Sequence, residues 1–165
     1  MITAERITPA NAMIFKAVRL NALKDTPDAF SSTYAKESEL TDQQWIDRAA
    51  EWNGTRGVAF LAMKEGNACG IAGSFLNQQD PTRAVLISMW VAPGYRRRGI
   101  GQLLVDEIAN WARSRHVRSL ELMVTSVNDS ATRFYERLGF QRTGRTEPYP
   151  HNPTVLEYEM SKLIS

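Results

Sequence analysis

Arg96-Arg97-Arg98-Gly99-Ile100-Gly101-Gln102 has the residue types and the order to hold a phosphate. An apolar run, Val85 to Val91, precedes it, and a helical pattern, Leu103 to Ala112, follows it. The order is therefore strand, basic glycine turn, helix. Glycines let a backbone approach a ligand closely. A helix start presents unpaired N–H groups and a partial positive charge, which together suit a pyrophosphate. Three neighbouring arginines add charge and forked donors. Two familiar glycine loops are excluded. A P-loop needs a Gly-Lys pair, and none follows; a dinucleotide fingerprint needs a third glycine where Leu104 stands. What remains is R-x-x-G-x-G, too short to decide alone, since a basic turn can simply cap a helix.

The composition narrows the context. A chain of 165 residues suits one domain, taken as 1–165. Its 43% hydrophobic and 23% charged residues are ordinary for a globular protein. A net charge of +2 is too small to argue for nucleic acid. The lone Cys69 excludes an internal disulfide and fits a reducing cytoplasm, and its apolar surroundings favour buried filler over a nucleophile. No apolar stretch approaches membrane-spanning length, and Met1 to Arg6 lacks a secretory leader's layout. No metal-ligand spacing stands out, so none is expected.

The elements that must position the turn follow from local signals. Ile2 to Ile7 reads as a short strand. Thr8-Pro9 opens a helix running to about Leu23, with Ala10, Met13, Ile14, Ala17 and Val18 at helical spacing. Ala29 to Leu40 fits a loop or a short helix. Thr41 to Gln44 has capping-box form before a second helix marked by Trp45, Ala49 and Trp52. Val58–Met63 and Ala68–Leu76 form a hairpin, the latter interrupted by Gly70 and Gly73, a sign of a bulge or close packing. After the arginine turn and its helix come a strand at Ser119–Thr125 and a helix capped by Asn128 and stopped by Gly139. Strands follow at Phe140–Arg145 and Val155–Met160, joined by a proline-rich connection, Thr146 to Thr154. The sum is a mixed α/β layer domain with a strand–helix–strand crossover.

Two segments together resemble the GNAT N-acyltransferase superfamily. One is Ser88 to Leu104. The other is Leu120 to Phe140, reading L-x-L-x-V-x-x-x-N-x-x-A-x-x-F-Y-E-x-x-G-F. Asn128, Ala131, Tyr135 and Gly139-Phe140 stand where the family usually carries them, and the element order agrees. The resemblance implies an α/β (α+β) GNAT fold: a mixed sheet of about six to seven strands, splayed in the middle and flanked by about four helices. It implies acetyl-CoA as cofactor. Backbone groups of Met89, Trp90 and Val91 would pair with the pantetheine arm. Arg97, Arg98, Gly99, Ile100, Gly101 and Gln102 would hold the pyrophosphate, with Arg96 at the motif's first position. Asn128 would bond the pantetheine, and Phe134 would flank the cofactor.

Amide formation from a thioester needs a neutral amine, a held oxyanion and a protonated leaving thiolate. A lysine-like amine, with a pKa of about 10.4, must lose a proton. A backbone N–H of the splayed strand can hold the oxyanion. Tyr135 is the candidate acid: a phenol of pKa about 10 stays protonated at neutral pH and can serve a thiolate of about 8.5. The bland reading makes its ring a core aromatic, and both roles are compatible. No base stands out. Val85 and Met123 occupy the places where relatives carry a glutamate, Glu121 reads as a surface charge, and Glu37, Glu39, Glu147, Tyr149 and His151 lie outside the motifs. A water chain is the other route.

The resemblance places the acceptor side on the first helices and the last hairpin, which here means Phe30, Tyr34, Trp45, Tyr149 and His151. This partly aromatic set has few acids, which argues against a highly cationic acceptor. Polyamine, amino acid, aminoglycoside-like drug and protein amine all stay open. The leading function is N-acetyltransferase acting on a primary amine. The alternative is a catalytically silent acyl-CoA-binding or sensing module, motivated by the missing glutamates and opposed by Tyr135. Nucleic-acid binding by Arg113, Arg115, His116 and Arg118 lacks aromatic interleaving or a groove-reading element. No membrane partner is expected. Dimers are common in the family, which leaves a homodimer open.

Overall fold

The computed structural model describes residues 1–165. One seven-stranded sheet runs through it: β1 (Ile2–Arg6), β2 (Gly57–Lys64), β3 (Asn67–Leu76), β4 (Arg83–Val91), β5 (Ser119–Thr125), β6 (Gln141–Tyr149) and β7 (Asn152–Leu163). Their order is β1-β2-β3-β4-β5-β7-β6. Five helices cover it: α1 (Ala12–Asp25), α2 (Tyr34–Glu37), α3 (Asp42–Glu51), α4 (Ile100–Ser114) and α5 (Asp129–Arg137). The fifth, beyond the expected four, is the single turn α2, capped by the Thr33 hydroxyl. The expected caps are present: Thr8 heads a 3-10 turn before α1, and Thr41 with Gln44 closes a capping box on α3.

Two cores flank the sheet. Helices α4 and α5 pack on one face over Leu86, Leu104, Ile108, Leu120, Leu122 and Val124. Helices α1 and α3 cover the other over Phe15, Trp45, Leu61, Ile71 and Trp90. β4 takes part in both through a bulge. Its pairing with β3 runs Gly73↔Ile87 and resumes at Ile71↔Trp90, so two β4 residues, Ser88 and Met89, oppose Ala72 alone. The extra residue flips the alternation. Ala84 and Leu86 face α4, whereas Trp90 faces α1.

β4 and β5 are parallel neighbours only at Arg83↔Ser119, Ala84↔Leu120 and Val85↔Glu121. Beyond Val85 the two strands part and leave a wedge-shaped slot. Glu121 sits at its root, and here the expectation of a surface charge is corrected. It is 8% exposed and takes both arms of the Arg83 guanidinium, one of them at 2.8 Å.

The connection between the last strands also differs from expectation. Pairing persists to Tyr149↔Asn152, leaving only a Pro150-His151 turn. The prolines suggest a loop because they remove ladder donors. Pro148 lies on β6, however, an edge strand where a proline can turn its missing N–H to solvent; Pro150 is in the turn itself, and Pro153 falls where β7 has no register partner.

Candidate active site

The arginine turn lies at the mouth of the slot. Arg97 has φ 64° and Gly99 φ 79°, so the chain coils back on itself before α4. No carbonyl or side chain of the protein accepts from the N–H groups of residues 97 to 102; the first bond of α4 runs from Leu103 N–H to Gly99 O at 3.0 Å. The turn thus presents a run of free amides at a helix start, an anion site of the kind its sequence suggests. A side chain at Gly101 would displace its neighbour. A Cβ there would lie 2.8 Å from the Phe134 ring. Phe134 therefore lies directly against the amide-lined turn.

The three arginines differ. Arg97 and Arg98 are exposed, with Arg98 over the Tyr95 ring at 5.7 Å. Arg96 is tied down: Nε donates to Val91 O at 2.8 Å and Nη2 to Asp25 at 2.9 Å. Asp25 also accepts from the Trp90 indole at 3.1 Å. Bonds from Thr26, Trp90 and Arg96 hold the Asp25 carboxyl below its ordinary range. So Arg96 and Trp90 fasten the turn and the end of β4 to α1. Sequence reasoning missed Asp25, because 65 residues separate it from Trp90.

The slot edge of β4 follows from its ladder. Ala92 N–H bonds Cys69 O at 2.9 Å, so Trp90 turns its backbone toward β3 and the N–H groups of Met89 and Val91 point into the slot. Asn128 caps α5 by accepting from Ala131 N–H at 3.1 Å, which leaves its amide N–H₂ free. Cys69 is buried and donates to Ala62 O, as befits filler.

Tyr135 projects from α5 in the same core. Its ring meets Phe134 and Phe140 edge-on at 5.1 and 5.7 Å. The residue is 8% exposed. Its hydroxyl has no protein partner, yet only the Trp45 nitrogen and the Ser74 hydroxyl are sealed away without one. The Tyr135 oxygen therefore still touches open space. Burial pushes its ionisation well above that of an ordinary phenol. It stays a proton donor throughout the neutral range.

On the face opposite α4, the Tyr149 hydroxyl donates to Phe30 O at 3.1 Å, and the His151 ring lies edge-on at 5.3 Å. Tyr34 is not part of this group; it is 41% exposed beneath the Lys24 ammonium. Trp45 lies wholly within the second core. The fold adds acids that the sequence set lacked. Burial raises Tyr149, as do the charges of Asp28 and Glu157. Burial likewise raises Glu157, helped by Glu147 directly across the β6–β7 ladder and opposed by His151. Asp28, Glu147 and Glu157 thus stand near an aromatic set that has few acids of its own in sequence. Glu37, a base candidate from sequence, is 2% exposed and locked by Arg19 and Arg48. The second basic cluster is occupied too: Arg115 holds Gly54 O, and Arg113 holds Ile164 O.

A sequence model of the acetyltransferase (GNAT) family matches residues 20–140. The chain belongs to this family. It is 32% identical over 98 residues to the [ribosomal protein bS18]-alanine N-acetyltransferase of Salmonella typhimurium, covering 59% of this chain and 66% of that one. It is 42% identical over 62 residues to streptothricin acetyltransferase of Streptomyces lavendulae, covering 38% and 33%. The matched stretches thus span between about a third and two thirds of these curated relatives. A GNAT acetyltransferase structure from Streptococcus pneumoniae superposes with a TM-score of 0.83 at 23% identity over the whole of both chains. PaiA N-acetyltransferase of Thermoplasma acidophilum, in complex with coenzyme A, superposes with a TM-score of 0.78 at 15% identity over 99% of each. At such identities the likeness is one of fold.

On the base side Val85 and Met123 are apolar, and the carboxylates Glu37 and Glu121 are held in ion pairs. Glu157 is half-buried and forms no salt bridge or hydrogen bond through its carboxylate, and it projects from β7 opposite Thr125 at the open end of β5. Neither the motif nor local spacing marks it. Its place depends on the pairing of β5, β6 and β7.

Proposed function

We propose that this chain, acting as one GNAT unit in the cytoplasm, transfers an acetyl group from acetyl-CoA to a primary amine. The observation that carries the reading is the run of unpaired N–H groups at residues 97–102 at the mouth of the β4–β5 slot. The residues fit the cofactor. The free amides suit its pyrophosphate, the Met89 and Val91 edge suits the amides of its pantetheine arm, and the Asn128 N–H₂ and Phe134 ring line the way in. Arg96 and Trp90 support this site through Asp25. The bound cofactor supplies the activated acetyl thioester.

With acetyl-CoA and an amine bound, the Met89 N–H, pointing into the slot, would hold the thioester carbonyl oxygen. Glu157, unpaired and more basic than usual, would take the amine proton, directly or through water. Tyr135, whose hydroxyl has no protein partner, would give the leaving sulfur its proton. Phe30, Tyr149 and His151 form a wall on the acceptor side, and Asp28, Glu147 and Glu157 favour a positively charged acceptor there.

The test is thiol release from acetyl-CoA against polyamines, amino acids, aminoglycosides and peptide amines. Amine-dependent release of coenzyme A is expected. Tight cofactor binding with no turnover on any amine would instead indicate the silent module.

A further inference from the structure

Ser88 is a non-glycine residue with φ 58°, at the bulge that re-aims β4. L residues avoid this region, and it persists only where neighbours enforce it. Its side chain makes one hydrogen bond, accepting from Arg19 Nη1 on α1 at 2.9 Å. The rest of the Arg19 fork is anchored. Nε and Nη2 grip the two oxygens of Glu37 at 3.1 and 3.0 Å, and Arg48 adds a bond at 3.0 Å. The Arg19 side chain is 13% exposed and Glu37 2%. The Phe30 ring lies over the Arg19 guanidinium at 5.0 Å, and the Phe30 carbonyl holds Tyr149. A planar guanidinium gripped on two sides has one orientation left for its third nitrogen.

We propose that Arg19 is a positioning residue for acyl transfer. Clamped by Glu37, it pins Ser88 and so fixes the bulge that turns the next N–H, that of Met89, into the slot. The inference rests on the reading above, in which this N–H faces the thioester carbonyl. It adds a link from the acceptor-side helices to the oxyanion site. Arg19 and Ser88 also line a cavity of about 210 Å³ together with Phe15, Trp52 and Ile87. Whatever fills that space meets the pin itself.

The experiment compares Ser88→Gly, Arg19→Met and their double variant with wild type. Glycine suits the positive φ, so Ser88→Gly removes the pin without adding strain. Expected are unchanged melting for Ser88→Gly, unchanged acetyl-CoA affinity, and a kcat lowered roughly 10- to 100-fold, the scale of a misplaced group. The double variant should fall no further than the worse single one. A second readout needs no acceptor. In ¹⁵N-labelled protein, the Met89 amide shift should differ between the acetyl-CoA and coenzyme A complexes, and Ser88→Gly should at least halve the difference. A Ser88→Gly protein with kcat within twofold of wild type, or with the full Met89 difference, overturns the pin. A wild-type Met89 amide that does not distinguish acetyl-CoA from coenzyme A overturns both the oxyanion assignment and the pin. Independent, multiplying losses in kcat would show that Arg19 and Ser88 act separately, and would also overturn it.

Discussion

Tyr135→Phe deletes one oxygen and keeps a ring that packs edge-on against Phe134 and Phe140. Because the lost hydroxyl has no protein partner, no internal hydrogen bond goes with it. A poorly satisfied buried hydroxyl is a liability of about 1–3 kcal/mol, reduced here because the oxygen still touches open space. Stability should therefore hold or rise by up to ~1 kcal/mol, about 2–4 °C in Tm for a chain of this size. The folded-state ionisation is raised, so the tyrosine favours folding below the unfolded pKa of about 10 and that contribution is lost as pH rises past it. Tyr135→Phe should flatten that alkaline loss. The kinetic effect has the opposite sign. Burial makes this phenol a weaker acid than a free one, which opposes full transfer to a thiolate of about 8.5. A thiolate formed in that slot would itself be desolvated, which would raise its pKa and narrow the gap. We expect kcat to fall by ~10²–10³-fold, the lower part of the range for a positioned acid, or about 3–4 kcal/mol. Acetyl-CoA affinity by calorimetry should not move. The loss should shrink for an acyl donor with a more acidic thiol. An unchanged kcat where chemistry limits turnover refutes the reasoning, as does a stability loss with no leaving-group dependence.

Further outcomes follow from other contacts. Gly101→Ala puts a methyl 2.8 Å from the Phe134 ring, and Gly101→Asp adds a charge facing the free amides. Calorimetry should show acetyl-CoA binding weakened in the first and abolished in the second, with both proteins folded. Glu37→Ala leaves buried Arg19 uncompensated and should cost ~3–5 kcal/mol in denaturant unfolding. Burial alone would raise Glu37, but Arg19 and Arg48 hold it lowered. Its stabilisation is therefore present above the ordinary carboxylate value and lost as pH falls through the folded one, and the variant should lack that acid dependence. Glu157→Gln should lower kcat by ~10²-fold and erase an acid-side inflection lying above the ordinary carboxylate range, since the base works only when ionised. Retention of both rate and inflection would assign the proton to water instead.

Several elements were written locally. Thr8-Pro9 and Thr41 with Gln44 announce helix starts because a cap and its partners lie within three residues. The arginine turn is legible for the same reason: its free amides belong to the turn and the helix start. Tyr135 was legible as a candidate acid through its motif, although its unpartnered hydroxyl depends on what α5 packs against. The length of the last hairpin was misread because proline is excluded only from positions whose N–H faces a neighbouring strand. Whether a position is paired depends on which strand lies beside it.

The residues that frame the slot were not legible, since each makes its contacts across a long sequence gap. Asp25 reaches Trp90 and Arg96, Arg19 reaches Glu37 and Ser88, and Glu157 meets Glu147 across one ladder and Thr125 across another. In sequence these are ordinary charges in loops, helices and strand ends. A charge changes character only when burial removes its water and a partner arrives, and both conditions are set by packing. The sequence alone determined the arginine turn with its free amides, the helix caps and the family pattern, because backbone conformation and capping are decided within a few residues. Only the tertiary structure decided where β4 and β5 part, which way the bulge turns Met89, and which carboxylate stays free, because strand pairing and burial join residues the chain keeps far apart.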